Sequence, residues 1–101
     1  MIPQKTIEEL INKHLNLEKD LSSGEIDKKK FAEKSKEYSD INEIIEEAKK
    51  YLSFENDKIV LKKILKDQTS DEELKKMAEI ELTDLKLKNE SNEKKLKIFL
   101  L

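Results

Sequence analysis

Residues 27–52 read DKKKFAEKSKEYSDINEIIEEAKKYL. On this charged background Phe31, Tyr38, Ile45 and Leu52 recur at seven-residue steps, with Ile41 and Ala48 between them. Apolar positions repeating at that period mark one narrow side of a helix that seals against another helix. The chain around the stretch fits the same reading. Its 101 residues suit one small domain, 44% are charged, 36% are hydrophobic, and there is a single Gly and a single Pro. Sandwiches, barrels and α/β sheets need turn residues and β-branched runs that are missing here. Wholesale disorder is excluded because the apolar residues stand in register. The expectation is an all-α fold of long helices with a thin core.

Working outward, the spacing predicts three helices, at about 6–22, 28–66 and 70–98, in one domain covering 1–101. Thr6 and Glu9 form a T-x-x-E capping box for the first. Its apolar face is read as Ile7, Leu10, Ile11, His14, Leu15 and Leu21, and Ser22-Ser23-Gly24 ends it. Asp27 is the N-cap expected for the second. The seven-residue phase slips near Asn56-Asp57, then apolar residues resume at Ile59, Val60, Leu61, Ile64 and Leu65. Either the helix breaks there or a stutter rotates its stripe. With no Gly or Pro nearby, one continuous helix is expected, roughly 58 Å long at ~1.5 Å per residue.

Ser70 and Glu73 suggest a second capping box opening the last helix. That helix carries Leu74, Ala78, Leu82, Leu85, Leu96 and Phe99 on one stripe, with Asn89 and Asn92 at polar stripe positions. A short link between long helices makes them antiparallel neighbours. The architecture expected is therefore a long, coiled-coil-like antiparallel hairpin with a shorter N-terminal helix packed on it. Glu9–Lys13, Glu46–Lys50, Glu72–Lys76, Asp84–Lys88 and Glu90–Lys94 have the i,i+4 order that adds a few tenths of a kcal/mol each.

Chemistry is hard to find. The formal net charge is −2, and all 21 basic residues are Lys. The lack of Arg weighs against bidentate reading of phosphate or guanine. Without Cys there is no disulfide framework or thiolate, and His14 has no partners at metal-ligand spacing. It reads as an ordinary half-buried helix residue. A lone Gly excludes a glycine-rich phosphate cradle. Carboxylate pairs such as Glu46-Glu47 lack a pocket to perturb them. No catalytic residue, cofactor, metal or small-molecule substrate is expected. Lys28-Lys29-Lys30, and Lys62-Lys63 with Lys66, read as solvated helix faces or, functionally, as a salt-sensitive contact with RNA. The longest apolar run, Ile98 to Leu101, is far short of a membrane span. Met1 to Thr6 is no signal peptide, so a cytoplasmic location is expected.

The order of residues says more. Asp27, Phe31, Ser35, Glu37, Tyr38 and Ile41 resemble the start of the long helix in the amino-terminal domain of bacterial class I peptide chain release factors. In that family an Asp and a few polar residues precede an aromatic, then Ser-x-Glu-Tyr and a hydrophobic residue. Met77, Ala78, Glu81 and Leu82 resemble the family's third-helix signature, and the closing KIFLL is similar to its Leu-Leu ending. The form is nearer the factor reading UAA and UAG. The family's Gly-Gly-Gln and codon-reading loops are absent from these residues.

The resemblance implies the N-terminal part of a longer protein that terminates translation by peptidyl-tRNA hydrolysis, ending at Leu101 by a chosen boundary or a proteolytic cut. It implies a docking arm that reaches the large-subunit stalk base of the ribosome, made of ribosomal RNA and a stalk-base protein, with a link to the release-factor GTPase. The hairpin tip at Lys62, Lys63, Lys66, Asp67 and Ser70 is the expected contact region, from its distal position and basic residues. The rival readings are a stand-alone coiled-coil scaffold or oligomerisation module, and a small RNA-binding protein.

Overall fold

The computed structural model describes residues 1–101, all of them. Four helices follow one another: α1 Gln4–Ser23, α2 Lys28–Asn42, α3 Ile45–Lys66 and α4 Glu72–Leu100. Helices α3 and α4 lie antiparallel as the hairpin, and α1 packs against both α2 and α3. The molecule measures 60 × 27 × 20 Å with a radius of gyration of 18.3 Å, against roughly 13 Å for a compact domain of about this length.

Helix α1 starts earlier than the Thr6–Glu9 box implies. The Pro3 carbonyl accepts from Thr6 N (3.1 Å) and Ile7 N (3.4 Å), and no side chain caps this end. Pro has no N–H to lose at a helix start, and its φ is already fixed in the helical range. The buried face is Ile7, Leu10, His14 and Leu17, while Leu15 faces solvent. Gly24 closes α1 at φ 72°, in the left-handed region that favours glycine. Asp27 caps α2, its Oδ1 accepting from Lys30 N at 2.9 Å.

The continuous 28–66 helix is not what forms. The chain passes Asn56-Asp57 as unbroken helix and breaks instead at Glu43-Ile44. There Ile44 N bonds to Ile41 O at 2.9 Å, three residues back rather than four, and Ile44 sits at φ −114°. The cause is packing: Ile41, Ile44 and Ile45 are all buried. Adjacent residues on a regular helix point about 100° apart, so a straight helix would leave one of the neighbouring isoleucines outside the core. The break turns both inward, and the stiff β-branched pair has little helix propensity to lose.

The break also reassigns the stripe. Its upstream half, on α2, packs on α1 and makes no contact with α4. His14 stacks on Tyr38 with ring centroids 4.8 Å apart, and its Nε2 lies 3.0 Å from Asn42 Oδ1. The ion pairs Lys34–Asp20 (2.7 Å) and Lys13–Glu37 tie the same two helices together. Lys13 thus bridges to α2 instead of pairing with Glu9. Of the five expected i,i+4 pairs, only Asp84–Lys88 closes, at 2.9 Å. At the far turn the cap of α4 is Asp71, whose Oδ1 accepts from Leu74 N at 2.7 Å, not Ser70. The last helix accordingly runs 72–100.

The core sits at one end. Ile2, Ile7, Leu10, Leu17, Ile41, Ile44, Ile45, Ala48 and Leu96 form one buried cluster, flanked by Tyr38, Tyr51, Leu52 and Phe99. Beyond it, toward the 67–71 turn, Ala78 is the one fully buried residue. There α3 presents Phe54, Lys58, Leu61 and Leu65, half-buried at heptad spacing, in place of the Ile45–Ala48–Leu52 side that faces α1. One rod thus carries two seams.

Candidate functional site

The tip residues stand where the hairpin turns. Lys62, Lys63 and Lys66 occupy the last two turns of α3, at i, i+1 and i+4, which confines them to a sector of about 100° on one side of the helix. All three are exposed, and no carboxylate lies within 4.0 Å of their ammonium groups. The negative end of the α3 dipole tolerates this concentration of charge.

Asp67 and Ser70 are in the turn that follows. Asp67 N donates to Lys63 O (3.0 Å) and Ser70 N to Asp67 O (3.2 Å). The Asp67 carboxylate accepts from the Thr69 hydroxyl at 2.7 Å and from Thr69 N at 2.9 Å. Those two bonds, the hydroxyl first, hold the carboxyl below its ordinary range, and the nearby Lys75 charge adds to the effect. Asp67 therefore shapes the turn while the lysines stay free to reach outward. The sequence brings all five predicted residues into one end of the molecule, and gives them unequal tasks.

A second cluster lies near the opposite end, where the sequence pointed to no site. Ile2 N donates to the Tyr51 hydroxyl (3.1 Å), and that hydroxyl donates to Glu93 Oε1 (3.1 Å). The Met1 ammonium is 3.2 Å from the same carboxylate. Burial pushes the Tyr51 phenol up, with the Glu93 bond and charge adding to it and the Ile2 N–H opposing. Glu93 moves down, first through the ammonium and then through Tyr51. These groups edge a half-open cleft of about 420 Å³ that also reaches Ile7, Phe54 and Asn89, whose buried Oδ1 has no hydrogen-bond partner. The polar residues at stripe positions 89 and 92 were the sequence signal for this region.

A third feature is a second apolar line on α4. Met77, Ile80 and Leu87 are exposed on the side away from the seam made by Ala78, Leu82, Leu85 and Leu96. It was legible as i, i+3, i+10 spacing, but of the three only Met77 stood out in the sequence, together with Ala78, Glu81 and Leu82. No helix in the structure is long and apolar enough to cross a membrane.

The family model of the PCRF domain matches residues 10–101. Over all 101 residues the chain is 68% identical to Peptide chain release factor 1 of Pelagibacter ubique (strain HTCC1062), and it spans 28% of that relative's length, in the amino-terminal part. No solved structure matches the chain.

Proposed function

The chain belongs to the PCRF-domain family, and from that membership we propose that it is the amino-terminal docking arm of a cytoplasmic factor that ends translation at stop codons. The observation carrying this reading is 68% identity to a peptide chain release factor along the whole chain. In the proposal, stop-codon reading and peptidyl-tRNA hydrolysis belong to parts of the factor beyond this arm. The arm supplies reach. Two antiparallel helices extend a molecule 60 Å long from a base held by four helices.

Lys62, Lys63 and Lys66 at the tip meet ribosomal RNA of the large-subunit stalk base beside its stalk-base protein. Asp67 and Ser70 fix the turn that presents them, and this contact sets the factor's response to the release-factor GTPase. A contact of ammonium groups with phosphate releases counterions, so it weakens as salt rises. The scaffold alternative loses its seam, because Ile41, Ile45 and Ala48 are buried within the chain itself.

The test uses the factor that contains this arm, with Lys62, Lys63 and Lys66 changed to Glu. Ribosome affinity should fall by roughly tenfold or more, with a shallower salt dependence by up to about three phosphates' worth. Peptidyl-tRNA hydrolysis at saturating factor should persist. Unchanged affinity with an unchanged salt slope would remove the tip from the contact. The reading frame past Leu101 should also encode a Gly-Gly-Gln; a stop codon there would count against the whole assignment.

A further inference from the structure

The seam and tip leave one side of the arm unexplained. Met77, Ile80 and Leu87 are 54%, 69% and 61% exposed, and Val60 of α3, at 58%, lines a neighbouring depression that reaches Asp84. From Met77 to Leu87 the line runs about 15 Å along the helix. Single exposed apolar residues are ordinary, but three of them along one side of so polar a helix, interrupted only by Thr83 and Asp84, mark a contact surface. Two shallow depressions flank it and share Asp84: one of about 490 Å³ between Ile80 and Leu87, one of about 400 Å³ beside Val60.

The rim decides what fits. Asp57, Glu79, Glu81 and Asp84 border the two depressions. The one cation lining them, Lys88, is held by Asp84 at 2.9 Å. Lys76 lies one turn from Ile80 toward the tip, four residues after Glu72 and outside both depressions. A second copy of the chain would set acidic rim against acidic rim, and a nucleic acid would meet carboxylates with its phosphates. Like charges brought together at an interface oppose association. A helix with an apolar stripe flanked by Lys or Arg satisfies both features at once. We infer that the Met77–Ile80–Leu87 face of α4 docks a basic amphipathic helix of a partner protein. This goes beyond the tip contact and does not depend on it.

The test is a titration of the isotope-labelled chain with a synthetic helical peptide of roughly 18 residues, about 27 Å long, bearing one leucine stripe flanked by lysines. A matched peptide with glutamates in place of the lysines is the control. Amide shifts should be confined to residues 57–61 and 77–88 and appear with the lysine peptide alone. The double change Ile80→Ser with Leu87→Ser should weaken binding at least tenfold without altering helicity or Tm, since both side chains are exposed. The pair Glu79→Lys and Glu81→Lys should reverse the preference toward the glutamate peptide. Lys62, Lys63 and Lys66 changed to Glu should leave peptide binding as it was, so failure of the tip reading is separately visible. Equal binding of both peptides, shifts centred elsewhere, no shift with millimolar peptide, or a dimer through the Ile80 face in sedimentation would overturn the inference.

Discussion

The base and the arm of this molecule are made from the same kinds of residues and held in different ways. At the base, α1, α2, the start of α3 and the end of α4 converge on one buried cluster, with Ile7 and Leu96 wholly shielded from solvent. Along the arm only two helices meet, and Leu61, Leu65, Leu82 and Leu85 of their seam are half-buried, with only the small Ala78 closed off. Burial stabilises at about 25 cal/mol per Å² of apolar surface removed from water, so each side chain contributes more where four elements close over it than where two touch. A thick end and a thin end follow from the count of helices present, not from a change in composition. Extension is the useful product: a thin arm spans distance that a ball of the same length cannot.

The largest expected difference between the two regions comes from deleting core volume. Leu96→Ala should cost about 3 kcal/mol, within the range for fully buried leucines, and Leu85→Ala on the arm about half that. Urea midpoints at constant slope measure both. Equal losses would mean that the arm is packed as tightly as the base.

Tyr51→Phe is the next test. It removes one hydroxyl that joins Ile2, α3 and Glu93 of α4, and should cost about 1 kcal/mol in the same urea assay. Asp71→Ala at the tip removes an N-cap of similar worth, about 1 kcal/mol, but its effect should stay local. Faster amide exchange at residues 72–76, with little change in the global midpoint, is the expected sign.

The smallest effect is that of pH. The Glu93 carboxyl titrates below its ordinary range when folded, through the amino-terminal ammonium first and Tyr51 second. A depressed carboxyl contributes stability above its unfolded pKa of about 4.3, and the contribution is lost as pH falls through the lower folded value. Tm should therefore drop on acidification below about pH 4.3, and Glu93→Gln should flatten that part of the profile. Asp67, depressed by Thr69, follows the same sign at the tip. Its neutralisation should loosen the 67–70 turn without unfolding the base.

The difference between the two ends also explains what could be read in advance. The seven-residue spacing from Phe31 to Leu52 predicted helix and its buried side, and both hold at Ile41, Ile45 and Ala48. The neighbour expected to cover that side, the last helix of the hairpin at residues 74–99, is the wrong one for its upstream half, which packs on α1. Periodicity describes one helix, whereas the choice of α1 over α4 for Tyr38 is made in three dimensions. The break at Glu43-Ile44 had a trace in the sequence, two adjacent isoleucines, but its cause is the joint burial of residues from α1, α2 and α4. Asp71 displaced Ser70 as cap because either can accept from the first turn, and the tight turn set by Asp67 decides which one sits in position. The tip lysines were visible because exposure at a hairpin end needs no partner. The Tyr51–Glu93 link was invisible because its members are far apart in sequence.

Native-state hydrogen exchange tests the division between base and arm most directly. Amides around Ile7 to Leu17, Ile45 to Leu52 and Glu93 to Leu96 should exchange only through global unfolding. Those from about residue 57 to 85 should exchange through cheaper openings that leave the base intact. One shared opening free energy along all of α3 and α4, or slower exchange near the tip than at the base, would contradict the account.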